Sequence, residues 1–294
     1  MSKTEMLTFG TSSRTGHNSD GFYKRKMYAA KRHANNMQAE QENDCADDVI
    51  NRIYNHSSAD MHEIPDNSVH LAVTSPPYNV GKEYDEDMTE DEYHDLLNSV
   101  WNEVYRALAP GGRVCVNVAN IGRKPYIPMN AMISRQMIEL GFLMRGEIIW
   151  YKNASAGVSC AWGSWKSASN PVLRDTHEYI LVFSKGRYNR PAKDKISTIT
   201  KEEFLEFTKS VWTFPAESAK RVNHPAPYPE ELPRRLIQLY TYAGDIVLDP
   251  FIGSGTTAIA SVKSNRRYVG YDTSAEYVSI AERRLADQHD LLFV

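Results

Sequence analysis

The spacing of hydrophobic positions changes several times along this chain, and each change predicts a different element. Residues 68–74, SVHLAVT, form the short apolar run that a buried strand requires. Residues 92–108 instead repeat their apolar positions every three or four residues, as a helix with one buried face does. The Pro-Gly-Gly sequence at 110–112 should end that helix, and residues 113–119 again have the pattern of a strand.

The same alternation continues to the end of the chain. Further strands are predicted at 143–151, 177–183, 245–249 and 267–272, and further helices near 129–140, 231–242, 256–264 and 275–287. Alternating strands and helices predict an α/β fold, with a mostly parallel twisted sheet and helices on both faces. Sheets of this kind bind ligands at the carboxyl ends of their strands, so loops that follow strands are candidate sites.

The first part of the chain lacks this periodicity. Within residues 3–32, seven basic side chains stand against two acidic ones. We therefore predict a polar, partly basic N-terminal arm over 1–45 and one large domain over 46–294. A second basic cluster, KGRYNRPAKDK, lies at 185–195. Such clusters can neutralise phosphates even though the formal net charge of the whole chain is −3.

Composition argues against several classes of protein. No apolar run reaches the roughly 18 residues of a membrane span, and the N-terminus lacks the apolar core of a signal peptide. Three cysteines without CxxC spacing predict neither a disulfide framework nor a metal site. We expect a soluble, cytoplasmic protein.

A glycine-containing loop, DPFIGSGTT at 249–257, joins a predicted strand to a predicted helix. Its glycines let the backbone approach a ligand, and Thr256 and Thr257 are candidate caps of the helix. Asp272 ends the next strand, where a carboxylate can accept hydrogen bonds from a ribose. The loop has neither the GxGxxG of a dinucleotide site nor the lysine of a phosphate loop. Asp249 and Asp272 suit a cofactor with a cationic centre and a free ribose, and S-adenosylmethionine fits these charges.

The strand at 68–74 runs directly into Ser75, Pro76, Pro77 and Tyr78. The prolines remove two backbone donors and stiffen the turn, which leaves carbonyls and a hydroxyl as acceptors beside an aromatic ring. In a nucleobase, the lone pair of the exocyclic amine is delocalised into the ring. Preorganised acceptors for both amine hydrogens favour a pyramidal nitrogen, whose lone pair can attack a methyl sulfonium. A tetrapeptide of this kind standing alone would be an ordinary proline turn.

The order of the two motifs, TSPPY before DPFIGSGTT, is more specific than either motif alone. Together they resemble the amino-methylating DNA methyltransferases in which the catalytic motif precedes the cofactor motif, the beta class. The resemblance covers roughly residues 46–288, including SADMHEIPDNSVHLAVTSPPY at 58–78, HEYILVFSKG at 177–186 and HPAPYPEEL at 224–232. It implies a Rossmann-like methyltransferase fold and methyl transfer from S-adenosylmethionine to the exocyclic amine of a base flipped out of double-stranded DNA.

The resemblance also implies roles for individual residues. The catalytic positions are Ser75, Pro76, Pro77 and Tyr78, with Tyr78 stacking on the base and Ser75 bonding its amine. The matched cofactor positions are Asp249, Phe251, Gly253, Gly255 and Asp272, to which the loop and the flanking motifs add Ser254, Thr256, Asp60, His224 and Pro225.

Two segments, 152–176 and 187–217, combine aromatic, small polar and basic residues and are the candidate regions for DNA recognition. The residues expected to contact DNA are Trp162, Trp165, Lys166, Arg174, Arg187, Arg190 and Lys193. The tryptophans have an alternative role in covering the edge of the sheet. Because most basic groups in protein–DNA interfaces contact phosphate, no recognition sequence follows.

The residue that leads the S-P-P-Y motif bears on which base is methylated. A leading serine usually goes with cytosine-N4 in this family, and a leading Asp or Asn with adenine-N6, since these accept hydrogen bonds more strongly than a hydroxyl. We expect cytosine-N4 methylation, with adenine-N6 as the alternative. Methylation at carbon 5 needs a cysteine nucleophile after a proline, which this chain does not have.

Alternatives outside this class are an RNA or protein-amide methyltransferase and a non-catalytic DNA module that binds the cofactor. The basic clusters favour nucleic acid over protein as the partner, and the intact motifs favour an enzyme. We expect a bacterial or archaeal, nucleoid-associated protein of a restriction-modification or epigenetic marking system. A companion restriction endonuclease would then act separately.

Overall fold

The computed structural model describes residues 4–5, 17–18, 23–29, 41–78, 88–152, 163–192, 194–217 and 228–292. The chain divides into two units, Met1–Gln38 and Ala39–Val294. The first unit contains a parallel pair of short strands, β1 (Thr4–Glu5) and β2 (His17–Asn18), and a one-turn helix, α1 (Lys26–Ala29). In the described part of the chain, every helix is too short or too polar to cross a bilayer.

The second unit alternates strands and helices, as the sequence predicts. Its elements in chain order are β3 (Arg52–Tyr54), β4 (Val69–Thr74), α2 (Glu90–Ala107), β5 (Leu108–Val118), β6 (Ile121–Gly122), β7 (Tyr126–Ile127), α3 (Met129–Glu139), β8 (Leu143–Tyr151), β9 (His177–Ser184), α4 (Lys201–Phe207), β10 (Val211–Thr213), α5 (Glu231–Tyr240), β11 (Ile246–Asp249), α6 (Thr256–Lys263), β12 (Arg267–Tyr271) and α7 (Ala275–Leu292).

One large sheet organises this unit, with strand order β10-β8-β9-β5-β4-β11-β12-β3. All neighbouring pairs are parallel except those of β9, which is antiparallel to both β5 and β8. From β4 the chain continues to β5 on one side, and from β11 it continues to β12 on the other. Ligands of open α/β sheets bind where the strand order reverses in this way. The predicted fold class is confirmed, and because β4 and β11 are parallel, the loops that follow them open on the same edge of the sheet.

Two core layers cover the two faces of the sheet. On the α2 side, Val69 and Ala72 of β4 pack with apolar residues of α2 and α3. On the α5 side, Leu71 and Val73 of β4 pack with residues of α4 and α5. This two-sided burial explains why every residue of β4 is buried and why its apolar residues do not alternate with exposed polar ones.

Local sequence signals define where these helices begin and end. In α2, the Thr89 side chain accepts from the backbone N–H of Glu92 while the Glu92 carboxylate accepts from the Thr89 N–H, and α4 begins with the same capping box at Thr200 and Glu203. The helix α2 ends at Ala107, and the Pro-Gly-Gly sequence belongs to the irregular start of β5.

Candidate active site

The loops that follow β4 and β11 are joined by a side-chain hydrogen bond. Thr74, the last residue of β4, donates its hydroxyl to Oδ1 of Asp249, the last residue of β11, over 2.7 Å. Ser75 begins the next turn and Pro250 the next loop, so this bond fixes the starting points of both predicted motifs. The structure therefore brings the S-P-P-Y turn and the glycine loop together.

Asp249 is completely buried and accepts several hydrogen bonds. Its Oδ2 accepts from the hydroxyls of Thr257 at 2.6 Å and Tyr228 at 2.8 Å, and its Oδ1 also accepts from the Phe251 N–H at 3.1 Å. Burial raises the pKa of Asp249 to about 6, although these donors act in the opposite direction. The carboxylate thus organises the two loops from inside, rather than facing a cofactor directly.

The start of α6 differs from the prediction that Thr256 and Thr257 cap it. The N-cap is Gly255 at φ +82°, with no side-chain cap hydrogen bond, and Thr257 turns inward to Asp249. A Cβ at Gly255 would lie 2.8 Å from the Cβ of Ala281, so helix α7 packs directly on this turn. The close packing of helix α7, rather than a need for a capping side chain, explains the glycine at position 255.

Two other loop residues contact an arginine of α7. Arg284 donates to the backbone oxygen of Ser254 and to its hydroxyl at 3.0 Å, and it lies 3.5 Å from the hydroxyl of Thr256. Both Ser254 and Thr256 are buried. These contacts connect the glycine loop to helix α7 and hold its shape.

Asp272 lies directly after β12 and faces this same loop. Its Oδ2 accepts from the Gly253 N–H at 3.0 Å and its Oδ1 from the Ser274 N–H at 2.8 Å. Burial raises the pKa of Asp272, and the two N–H donors lower it. The side chain remains partly exposed beside Gly253, which is where the sequence predicts a ribose-binding carboxylate. Phe251 lies at the other end of the loop, with its ring edge-on to Trp101.

The S-P-P-Y turn is held by contacts to two neighbouring elements. The Ala119 N–H, just past β5, donates to the Tyr78 hydroxyl at 3.1 Å, and Ser75 Oγ lies 3.5 Å from the same oxygen. Tyr93 of α2 donates to the Pro77 carbonyl at 2.7 Å. That carbonyl therefore stabilises the turn, whereas the sequence suggests that both proline carbonyls face a ligand. Pro76 is buried and Tyr78 half-buried against the α2-side core.

Other predicted cofactor residues have different positions. Asp60 is exposed on the segment after β3, with Oδ1 3.2 Å from Nδ1 of His62. This segment also contains Asn55, which donates its side-chain amide to the backbone oxygen of Asp272 at 3.0 Å. His224 and Pro225 lie outside the described residues.

Sequence reasoning misses Tyr228 and the inward role of Thr257. Tyr228 belongs to the HPAPYPEEL segment, and its hydroxyl contacts both Asp249 and Thr257. Burial raises its pKa well above the usual value, so it remains a neutral donor. The sequence contains the segment, but nothing in it shows that the tyrosine reaches the strand β11.

The predicted DNA-binding segment 152–176 emerges at the same sheet edge as the site. Tyr151 at the end of β8 pairs with His177 at the start of β9, so the segment leaves and rejoins the sheet at the carboxyl edge. Trp165 is 70% exposed, with the Lys166 ammonium 5.5 Å from its ring centroid, and Arg174 is also exposed. Trp162 lies outside the described residues.

The arginines of the second basic cluster lie at the opposite, amino edge. There the Arg187 guanidinium donates to the Pro110 carbonyl at 3.1 Å. Arg190 is largely buried and pairs with Asp245 and with Glu42, the latter at 3.0 Å. The structure thus does not bring Arg187 and Arg190 to the candidate site, because their charges are used within the fold.

The remaining predictions concern Lys193, metal ligands and a cysteine. Lys193 lies outside the described residues. Among the described side chains, no group of three His, Cys, Asp or Glu is placed to hold a metal ion. Cys115 is fully buried in β5, where burial raises its pKa, so it is a core residue.

Comparison with known proteins agrees with this geometry. The family described as a DNA methylase, N6_N4_Mtase, matches residues 69–283, which include both loops. The chain belongs to this DNA methylase family. Members use S-adenosylmethionine, so the protein is a site-specific, S-adenosylmethionine-dependent DNA methyltransferase of the N6/N4 family.

Curated relatives cover most of this DNA methylase. The type II methyltransferase M.MjaI of Methanocaldococcus jannaschii is 33% identical over 269 residues, which span 76% of this chain and 88% of that protein. The DNA adenine methyltransferase YhdJ of Escherichia coli is 30% identical over 247 residues, 79% of this chain and 81% of its own.

Solved structures give the same picture. A putative DNA modification methylase of Thermus thermophilus, complexed with S-adenosyl-L-methionine, is 31% identical with a TM-score of 0.65. The match covers 80% of this methylase and 93% of that chain. The cytosine-N4-specific PvuII DNA methyltransferase has a TM-score of 0.63 at 21% identity, over 78% of this chain and 84% of its own, and this likeness shows the fold alone.

Proposed function

We propose that this enzyme transfers the methyl group of S-adenosylmethionine to the N4 amine of a cytosine flipped out of double-stranded DNA. The observation that carries the proposal is the Thr74–Asp249 hydrogen bond of 2.7 Å. It joins a turn suited to a base amine and a loop suited to the methyl donor. Donor and acceptor would therefore meet at one sheet edge, as in-line transfer requires.

The glycine loop suits the cofactor. Asp272 offers a partly exposed carboxylate beside the Gly253 N–H, which fits ribose hydroxyls. Gly255 lets helix α7 pack directly on the loop and so fixes its shape, and Phe251 of the loop packs against the α2-side core. Asp60, His224 and Pro225 complete the proposed cofactor site. Asp249, Ser254 and Thr256 act indirectly, by fixing the loop through the contacts described above.

At the S-P-P-Y turn, Tyr78 would present its ring to the flipped base while Ser75 accepts a hydrogen from the amine. The nitrogen lone pair forms a bond to the methyl carbon as the carbon–sulfur bond breaks, and the electron pair of that bond stays on sulfur. The product nitrogen then loses one proton to water. The buried Pro76 and the Tyr93–Pro77 hydrogen bond keep the turn rigid for this step.

The serine that leads the motif supports cytosine-N4 over adenine-N6. A hydroxyl is a weaker acceptor than a carboxylate or a carboxamide, and the family pairs it usually with cytosine. Methylation of adenine-N6 is the second candidate, favoured by the likeness to YhdJ, which is named a DNA adenine methyltransferase. The two candidates share the same site geometry and differ in the base that it accepts.

We place the DNA-binding surface on the segment 152–176, with Trp165, Lys166 and Arg174 as its described members. It opens at the same edge as the site, which suits a duplex from which one base is extruded. Trp162 and Lys193 remain proposed contacts. Since relatives are named type II methyltransferases, we also propose a separately acting companion endonuclease.

The test is nucleoside analysis after methylation. Unmethylated plasmid DNA is incubated with the protein and methyl-labelled S-adenosylmethionine, digested to nucleosides and separated. We expect the label in N4-methylcytosine and its loss in Ser75→Ala, while Ser99→Ala, at an exposed position of α2, labels normally. Label in N6-methyladenine would establish the second candidate, and label in neither would refute both.

A further inference from the structure

A polar cluster beside the S-P-P-Y turn has no part in the function described so far. Its members are Asn117 of β5, Glu178 of β9 and Lys152, which follows β8. In each of these strands the apolar residue two positions away, Cys115, Ile180 or Trp150, packs in the α5-side core. Because side chains alternate along a strand, the three polar groups continue the α5 side of the sheet to its carboxyl edge.

Ser75 belongs to the same row. It follows Leu71 and Val73 of β4 at the same spacing, and both of these residues pack in the α5-side core. Thr74 of β4 pairs with Val116 of β5. The next residues along the two strands, Ser75 and Asn117, are therefore neighbours at this edge. The polar cluster therefore lies beside the residue proposed to hold the target amine.

The cluster is internally organised. The Asn117 amide donates from Nδ2 to Oε2 of Glu178 at 2.6 Å, and Lys152 forms an ion pair with the other carboxylate oxygen. This bond fixes the orientation of the amide, so that its Oδ1 is the remaining acceptor. Asn117 is 2% exposed, and its Oδ1 has no hydrogen-bond partner among the described residues. A buried polar atom without a partner in the fold is available to a further group, such as a water molecule or a ligand.

Two observations tie the cluster to the turn. The Ala119 N–H, two residues after Asn117, donates to the Tyr78 hydroxyl at 3.1 Å. Burial raises the pKa of Tyr78, and the negative charge of Glu178 raises it further. Glu178 is thus close enough to act electrostatically on the atoms of the S-P-P-Y turn, and only 14% of its side chain is exposed.

The chemistry of amine methylation gives such a carboxylate a role. A neutral amine becomes a cation when its lone pair takes the methyl group, and it stays cationic until a proton leaves to water. A fixed negative charge at a largely buried position favours a developing positive charge more than it favours the neutral ground state. We propose that Glu178, positioned by Asn117 and balanced by Lys152, stabilises the cationic amine of the target base in the transition state of methyl transfer.

This proposal rests on the proposed function, and it extends it from the motif to a second strand. The carboxylate of Glu178 faces the target base, and the free Oδ1 of Asn117 accepts from its polar edge. The Lys152 ammonium partly neutralises the Glu178 carboxylate, because burial of an unpaired carboxylate would cost free energy.

Single-turnover methylation with the full-length protein tests the role of charge. Enzyme in excess over unmethylated plasmid DNA, with saturating labelled S-adenosylmethionine, gives the rate of the transfer step. Glu178→Gln keeps an acceptor for the Asn117 amide and removes the charge. We expect the rate to fall about 10- to 100-fold, with affinities for cofactor and DNA within about twofold of wild type. The matched control is Glu147→Gln, an exposed position on β8, which should leave the rate unchanged.

A second variant separates an electrostatic role from a structural one. Glu178→Asp keeps the negative charge on a shorter side chain, so it should recover much of the rate that Glu178→Gln loses. If the ion pair only stabilises the fold, the rate of each variant will simply follow its melting temperature. That outcome, or a wild-type rate in Glu178→Gln, would overturn the proposal. Absence of labelled DNA with the wild-type protein would instead refute the proposed function on which it rests.

Discussion

The buried carboxylate of Asp249 makes the stability of this protein depend on pH in a defined way. The residue is fully buried, and its pKa is raised from the usual 3.8 to about 6. A raised pKa means that the folded state binds the proton more tightly than the unfolded chain does. The associated stability is complete below about pH 3.8, declines as the pH rises through about 6, and is lost above it.

The size of this effect follows from the shift. Each pKa unit is worth about 1.4 kcal/mol, so a shift from 3.8 to about 6 corresponds to roughly 3 kcal/mol over the whole range. Between pH 4.5 and 7.5 the same linkage gives a loss of roughly 2 kcal/mol, because part of the titration lies below pH 4.5. An asparagine side chain does not titrate, so Asp249→Asn should not show this loss.

The assay is urea unfolding of both proteins between pH 4.5 and 7.5, followed by circular dichroism. Other groups titrate in this range, so the informative quantity is the free energy of unfolding of wild type minus that of the variant. We expect this difference to fall by roughly 2 kcal/mol as the pH rises. Asp287→Asn, at an exposed position of α7, controls for the loss of one negative charge.

A difference that stays constant with pH would refute the reasoning. It would mean that the hydroxyls of Thr74, Thr257 and Tyr228 keep the carboxylate ionised despite its burial. A difference that rises with pH would show that these donors dominate, and that the pKa of Asp249 is below its usual value.

Three further predictions concern the site and its supporting turn. Tyr78→Ala should lower kcat by at least about 100-fold while the Kd for S-adenosylmethionine changes less than about twofold; an equal loss of both would mean that the turn serves the cofactor. Asp272→Ala should weaken cofactor binding by about 10- to 100-fold in calorimetry, since hydrogen bonds to a charged group are worth about 1.5–3 kcal/mol, and unchanged affinity would contradict its ribose role. Gly255→Ala should destabilise the protein by about 2–4 kcal/mol in urea unfolding, because the residue has φ +82° and its new Cβ would lie 2.8 Å from that of Ala281. Gly186→Ala, at φ +65° with nothing within 4 Å of the new atom, should cost only about 1 kcal/mol, and equal losses would show that the contact with Ala281 has no effect.

Hydrophobic spacing predicts most elements of the large sheet because each of them is buried along a whole stripe or run. The predicted strand at 143–151 and the predicted helix near 129–140 agree with β8 and α3 to within a residue. The short elements β3, β10 and α4 are not predicted. They are three to seven residues long, which is too short for a hydrophobic period to be visible in the sequence. The two strands are defined by pairing with their neighbours, and α4 by its capping box.

Within the site, the sequence indicates which chemical role each residue can have but not which other residues it contacts. Asp272 follows β12 beside the glycine loop, as predicted, because the end of a strand and a loop glycine are visible in the sequence. The basic cluster at 185–195 wrongly suggests a DNA-binding surface. Arg190 pairs with Asp245 and Glu42, and both of these residues are distant from it in sequence. Charge that is counted along the chain does not show whether it faces DNA or another side chain.

Asp249 also connects stability with function. Its carboxylate meets Thr74 from one loop and Phe251 from the other, and Tyr228 adds a third segment. An asparagine or a hydrophobic residue would avoid the electrostatic cost of roughly 3 kcal/mol that ionisation of a buried carboxylate carries at neutral pH. Neither could accept hydrogen bonds from all of these donors at once, since a carboxylate has about four acceptor positions and an amide oxygen two. The cost therefore falls at the point where the S-P-P-Y turn and the glycine loop are held together, and functional sites commonly retain such unfavourable groups.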